Sequence, residues 1–106
     1  MSGSFDDRRR GFESKWAHDA DMQFKIMARR NKLVGLWAAG EMGKSGDAAQ
    51  AYAKEVIAAD FEEAGDEDVF RKLRKDLPAT ISDHAIRKHM VDLLDTAAEQ
   101  VQAEGK

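Results

Sequence analysis

Cysteine is absent from this 106-residue chain, and proline occurs once, at Pro78. Without thiols there is no disulfide and no thiolate metal centre, and a reducing compartment suits the composition. No apolar run approaches the roughly 20 residues that cross a bilayer, and residues 1–10 lack the apolar core of a signal peptide. The expected address is therefore the cytoplasm, with no direct membrane insertion. No stretch alternates apolar and polar residues as a half-buried strand does. What remains is a chain of one-domain length, 42% hydrophobic and 35% charged, the profile of a helical domain with well-solvated faces.

The longest periodic stretch, Asp19–Met42, is the expected spine. Met22, Ile26, Leu33 and Trp37 stand at spacings of 4, 7 and 4, and Met27, Val34 and Ala38 repeat the pattern one position along. Residues so spaced share a helix face. Arg29, Arg30, Asn31 and Lys32 interrupt the apolar pattern for about one turn, which is expected to face solvent. Gly43 and Gly46 then flank a turn, with Ser45 or Asp47 placed to cap a second helix over Asp47–Glu63 whose alanines allow close approach of a neighbour. Gly65 ends that helix. Asp66 caps a short third one carrying Val69, Phe70, Leu73 and Leu77, and Pro78 stops it. Ser82 caps the fourth, about Asp83–Ala103, with Ile81 and Ile86 as a hydrophobic staple. Four helices, short loops and one apolar stripe each predict an all-α fold, a four-helix bundle of antiparallel type over residues 19–106.

Residues 1–18 differ in kind, as an N-terminal arm. Phe5, Phe12 and Trp16 recur at 7 and 4, but little else there is apolar, Gly11 weakens a helix, and Arg8, Arg9, Arg10 and Lys15 make it basic. Residues 1–32 carry eight basic and five acidic side chains, against nine and fifteen in the rest. Such an arm reads either as a recognition element that orders on a partner or as an extension of the first helix with its aromatics packed on the body.

Chemistry-bearing motifs are weak. Gly43-Lys44-Ser45 resembles the end of a phosphate-binding loop, but Ala38 stands where that loop needs glycine, and the segment follows a helix rather than a strand. Lys44, Ser45 and the free N–H groups of the next helix remain candidates to hold a phosphate without hydrolysing it, with Arg29 and Arg30 as alternatives. His84 and His89 are five apart and do not share a face as paired metal ligands do, so His84 is read as a first-turn residue and His89 as a surface one. Arg71, Lys72, Arg74, Lys75, Arg87 and Lys88 suggest a basic patch, but the neighbouring acidic run argues against nucleic acid. Neither a metal nor a catalytic role is expected.

Several stretches carry a resemblance. Phe5-Asp6-Asp7-Arg8, Ala28-Arg29-Arg30-Asn31-Lys32-Leu33, Leu36-Trp37-Ala38-Ala39 and Ala59-Asp60-Phe61-Glu62-Glu63-Ala64-Gly65-Asp66-Glu67-Asp68-Val69 are similar to the zeta subunit of alphaproteobacterial F-type ATP synthases. That resemblance implies an inhibitor of ATP hydrolysis rather than an enzyme. It implies an arm that is mobile when free and orders as a helix at a catalytic interface between alpha and beta subunits, reaching gamma. The residues expected to act are Phe5, Asp6, Asp7, Arg8, Arg9, Arg10, Phe12, Lys15 and Trp16. It also implies regulatory ADP or ATP bound by the bundle with no required cofactor, a monomer when free, and a place peripheral to the inner membrane when bound. The alternative is an adenine-nucleotide-sensing or structural bundle without ATPase inhibition.

Overall fold

The computed structural model describes residues 20–62 and 66–104. They form four helices: α1 (Ala20–Glu41), α2 (Gly46–Glu62), α3 (Asp66–Asp76) and α4 (Asp83–Glu104), with no strand among the described residues. The arm, Gly65, Glu63 and the side chain of Phe61 lie outside them.

The spine reading holds. At ~1.5 Å per residue the 22-residue α1 is about 33 Å long, and it packs against each of the other three helices. Cross-contacts run in opposite order along neighbouring pairs, as Arg29 to Gln100 and Trp37 to His89 show for α1 and α4. The core has two parts. Val34 and Ala38 of α1 meet Tyr52, Val56, Val69, Leu73, Ile86 and Met90 where all four helices converge. Ile26 meets Ala97, Ala98 and Val101 where the first half of α1 lies on the end of α4. No Cα of α2 comes within 8 Å of one in α4. The backbones of these two helices flank α1 without approaching each other.

The helix ends follow local chemistry. Gly43, at φ +79°, closes α1 in a Schellman motif: the Lys44 N–H donates to Ala39 O and the Gly43 N–H to Gly40 O. A glycine is required there because a side chain resists the left-handed region. Ser82 caps α4, its Oγ accepting from the Ala85 N–H at 3.0 Å, and Ile81 and Ile86 both join the core. Arg74 fastens the turn around Pro78 by donating to Ile81 O, Pro78 O and Asp83.

Three expectations need correction. Arg30 and Asn31 do not face solvent; each is only 1% exposed. Arg30 falls in one i, i+4 row with Ile26, Val34 and Ala38, so helix geometry turns it inward. Leu33 and Trp37, placed in the apolar stripe, are only half-buried, because the buried face centres instead on Val34, Gly35, Ala38 and Ala39. His89 is not a free surface residue: it stacks on Trp37 with ring centroids 3.9 Å apart and an interplanar angle of 14°. Between the competing caps, α2 starts at Gly46, so Ser45 precedes the helix and Asp47 lies in its first turn. There its charge favours the helix dipole rather than capping it.

Candidate functional site

The positions proposed to hold phosphate fall into two environments. Lys44 and Ser45 are exposed on the α1–α2 turn, beside the first N–H groups of α2. Arg29 and Arg30 are already engaged. Arg29 donates to Gln100 Oε1 and Glu104 Oε1, both at 2.8 Å, and ties the middle of the spine to the end of α4. Arg30 donates through Nε to Asn31 Oδ1 and through a terminal nitrogen to Asp66 Oδ1, each at 2.8 Å. It thereby pins the first residue of α3 to the middle of α1. The structure does not bring the four candidates together at one place.

Of the six cations suspected of forming a basic patch, all but Lys75 pair with carboxylates among the described residues. Arg71 pairs with Asp68, Arg87 with Glu67 while lying over the Phe70 ring at 3.9 Å, and Lys88 with Asp92. Lys72 pairs with both Glu55 and Asp76. Around it lies a polar groove of about 720 Å³ between α2 and α3, lined with both signs of charge. Among the described residues no cluster of His, Cys, Asp or Glu could hold a metal ion, and no described helix is long and apolar enough to cross a membrane.

Within that groove Asp76 accepts from the buried Tyr52 hydroxyl at 2.8 Å and from Lys72 at 3.0 Å. Partial burial raises the Asp76 pKa, but those two hydrogen bonds and the positive field of Lys72 and Lys75 outweigh it and hold the carboxyl below its usual value. Burial, then Asp76, push the Tyr52 phenol well above its ordinary range. A depressed carboxyl contributes stability above its ordinary pKa of about 4, which is lost as pH falls through the folded value. Tyr52→Phe should thus raise the Asp76 pKa in a carboxyl-carbon NMR titration. At pH 7 it should cost about 1–2 kcal/mol, less as acid neutralises Asp76.

On the other side of the bundle a second groove, about 320 Å³, runs along α1 between α2 and α4. Ala28 forms its floor, Ile57 and Val101 its walls, and Lys25 and Lys32 its rim. Phe24, 57% exposed, stands at its mouth, about one turn from the point where residues 1–19 join. Those residues include all nine arm positions, Phe5, Asp6, Asp7, Arg8, Arg9, Arg10, Phe12, Lys15 and Trp16, which lie outside the described residues.

A family model for ATPase inhibitor subunit zeta matches residues 1–100. The chain belongs to that family. The match spans both the arm and the bundle. The fold of this zeta-family chain is also found in a solved structure determined by solution NMR, which is 53% identical, has a TM-score of 0.74, and covers 78% of this chain and 98% of its own. No curated protein matches. Membership in the zeta family supports an ATPase-inhibitor role and association with the ATP synthase, and it fits a regulatory rather than a catalytic protein. Sequence reasoning missed the buried Arg30–Asn31 pair, the Trp37–His89 stack and the groove along α1. Only the first left a signal, the shared row with Ile26 and Val34.

Proposed function

We propose that this chain inhibits ATP hydrolysis by the catalytic head of the F-type ATP synthase, with residues 1–18 as the inhibitory element and the bundle as its mount. The observation that supports this most is the family match, which takes in the arm together with the bundle. The arm orders as a helix at an interface between alpha and beta subunits and reaches gamma. Phe5, Phe12 and Trp16 are its apolar anchors, and Arg8, Arg9, Arg10 and Lys15 pair with acidic groups of the head. Asp6 and Asp7 lie at the start of that helix, where negative charge suits the dipole. Lodging a helix in the interface stops rotation mechanically, and the chain performs no bond chemistry. In the cell it is cytoplasmic and peripheral to the inner membrane while bound.

The test is ATP hydrolysis by the isolated catalytic head, titrated with this protein. Full-length chain should inhibit and saturate near one copy per head, and a chain lacking residues 1–18 should keep the bundle's NMR spectrum but not inhibit. Inhibition retained after that deletion would refute the assignment of the arm.

Regulatory ADP or ATP is the second part of the proposal. The α1–α2 turn presents an exposed lysine, a hydroxyl and helix-start N–H groups suited to phosphate. Neither Lys44 nor Ser45 borders the grooves described above, so the base would rest on open surface. Titration with ADP should move the amide signals of Lys44 and Ser45. Movement only around Arg29 and Arg30 would transfer the site there, and no movement at any of the four would reject it.

A further inference from the structure

The face of α1 that borders the second groove carries charge and apolar surface that the bundle leaves unmatched. At about 100° of turn per residue, Phe24, Ala28, Lys32 and Lys25 fall within roughly 100° of one another around the helix axis. Lys25 and Lys32 have no carboxylate partner among the described residues, and neither has Lys54, exposed one turn from Ile57 on α2. Asp21 is the acidic side chain on the same face of α1, and it too is unpaired among the described residues; Arg29 is balanced by Glu104. Three lysines thus stand against one aspartate. Between them lies the apolar floor of Ala28, Ile57 and Val101, and Phe24 is more exposed than any other large apolar side chain among the described residues. The exposed Val91 on α4 is different, because its neighbours Arg87 and Lys88 are already paired with Glu67 and Asp92.

We propose that this face is the chain's second attachment to the catalytic head, seated on an acidic, apolar-tipped part of the head's surface beside the arm's entry. The inference rests on the proposed function above, in which residues 1–18 lodge in the head. Where those residues end places the face. Phe24 is six residues beyond residue 18, which is about 9 Å along a helix and at most about 20 Å along an extended chain. Lys32 follows about 12 Å further along α1, whereas Lys44 lies about 30 Å beyond Phe24. With the arm lodged, the first turns of α1 therefore stay close to the head. Burial selects which side of them turns toward it: Ile26 and Arg30 are enclosed in the bundle, and Phe24 with the unmatched lysines is what remains to meet a partner. Carboxylates of the head serve the lysines, and an apolar side chain covers Phe24 and the floor beside it. Once the bundle is seated, return of the arm to its interface is intramolecular, so the two contacts hold the chain longer than either alone.

A footprint of the complex tests this. The chain has no cysteine, so each full-length variant carries a single one: Lys25→Cys or Lys32→Cys on the face, Lys44→Cys or Lys88→Cys away from it. With the isolated head in excess, maleimide alkylation should slow about tenfold at the first two and change less than about twofold at the last two. Affinity for the head gives a second reading. Lys25→Glu with Lys32→Glu should weaken it about tenfold at low salt, a loss that shrinks as salt screens the charges. Phe24→Ser should weaken it by a similar factor that salt does not change. Both variants alter exposed side chains and should keep the bundle's amide spectrum. Unslowed alkylation on the face of a bound chain would overturn the proposal. So would protection centred on Lys44→Cys or Lys88→Cys, or unchanged affinity of the charge-reversed chain. No binding by the unaltered chain would overturn it together with the proposed function. The hydrolysis assay is read separately: a protected face in a chain that leaves hydrolysis running sinks only the inhibitory reading, and inhibition with the face unprotected sinks only the docking.

Discussion

Gly35→Ala should destabilise the protein by about 1–2 kcal/mol, and Gly35→Leu by 3 kcal/mol or more, whereas Gly40→Ala in the same helix should stabilise it by about 0.5–1 kcal/mol. Helix propensity alone gives both alanine substitutions the same sign. Packing separates them. A Cβ on Gly35 would lie 2.7 Å from the Cα of Ala53 and 3.2 Å from its Cβ, and backbone cannot swing aside as a flexible side chain does. To admit the methyl, α2 must move away from α1, and the contacts of Val34, Ala38, Ala39 and Val56 loosen together, since a close-packed core transmits such a shift. At Gly40 nothing lies within 4 Å of the added carbon. Urea unfolding reads both effects as opposite changes of midpoint at constant slope. If Gly35→Ala proves as stabilising as Gly40→Ala, the close approach of the two helices is not what sets their packing.

That contact also explains where the sequence was legible and where it was not. Helix ends were readable because they depend on neighbours in the chain: Gly43, Pro78, and Ser82 with Ile81 and Ile86 act within a few residues of themselves. The rotational setting of α1 was not, because it is decided by a partner. Large residues such as Leu33 and Trp37 marked the expected face, but Gly35 against Ala53 draws α2 onto the small-residue face and leaves the large ones at the edges. Arg30 and Asn31 read as solvent-facing by residue type, although their phase beside Ile26 and Val34 pointed inward. The same limit applies to function. Residues 1–18 stood apart by their aromatics and basic cluster, and the family match spans them. The groove along α1 has no sequence signature, because Ala28, Ile57 and Val101 come together only when α2 and α4 settle on either side of the spine.

The buried arginine yields the second large effect, and its sign order is the informative part. Asp66→Ala should cost about 2–3 kcal/mol, somewhat below the 3–5 kcal/mol typical of breaking a fully buried pair, because the Asp66 side chain is 57% exposed and water can reach the vacated place. The cost arises because Arg30, 1% exposed, is left with a charge that only Asn31 addresses. Arg30→Met removes that charge and fills similar volume with apolar atoms. Its main penalty is the lost donor to the buried Asn31 Oδ1, about 1–2 kcal/mol. The double variant Arg30→Met/Asp66→Ala should therefore be more stable than Asp66→Ala alone, a non-additivity that isolates the buried charge as the cause. Glu67→Ala serves as the comparison. It removes an acidic residue from the same first turn of α3, but its pair with Arg87 is exposed on both sides and should contribute less than about 1 kcal/mol. Thermal or urea unfolding of the four variants at one pH orders them. Were Asp66→Ala to match Glu67→Ala, water would be serving Arg30 as well as the carboxylate does, and the link between α1 and the start of α3 would rest on apolar packing alone. The expected order instead makes Arg30 the fastener that holds α3 on the spine.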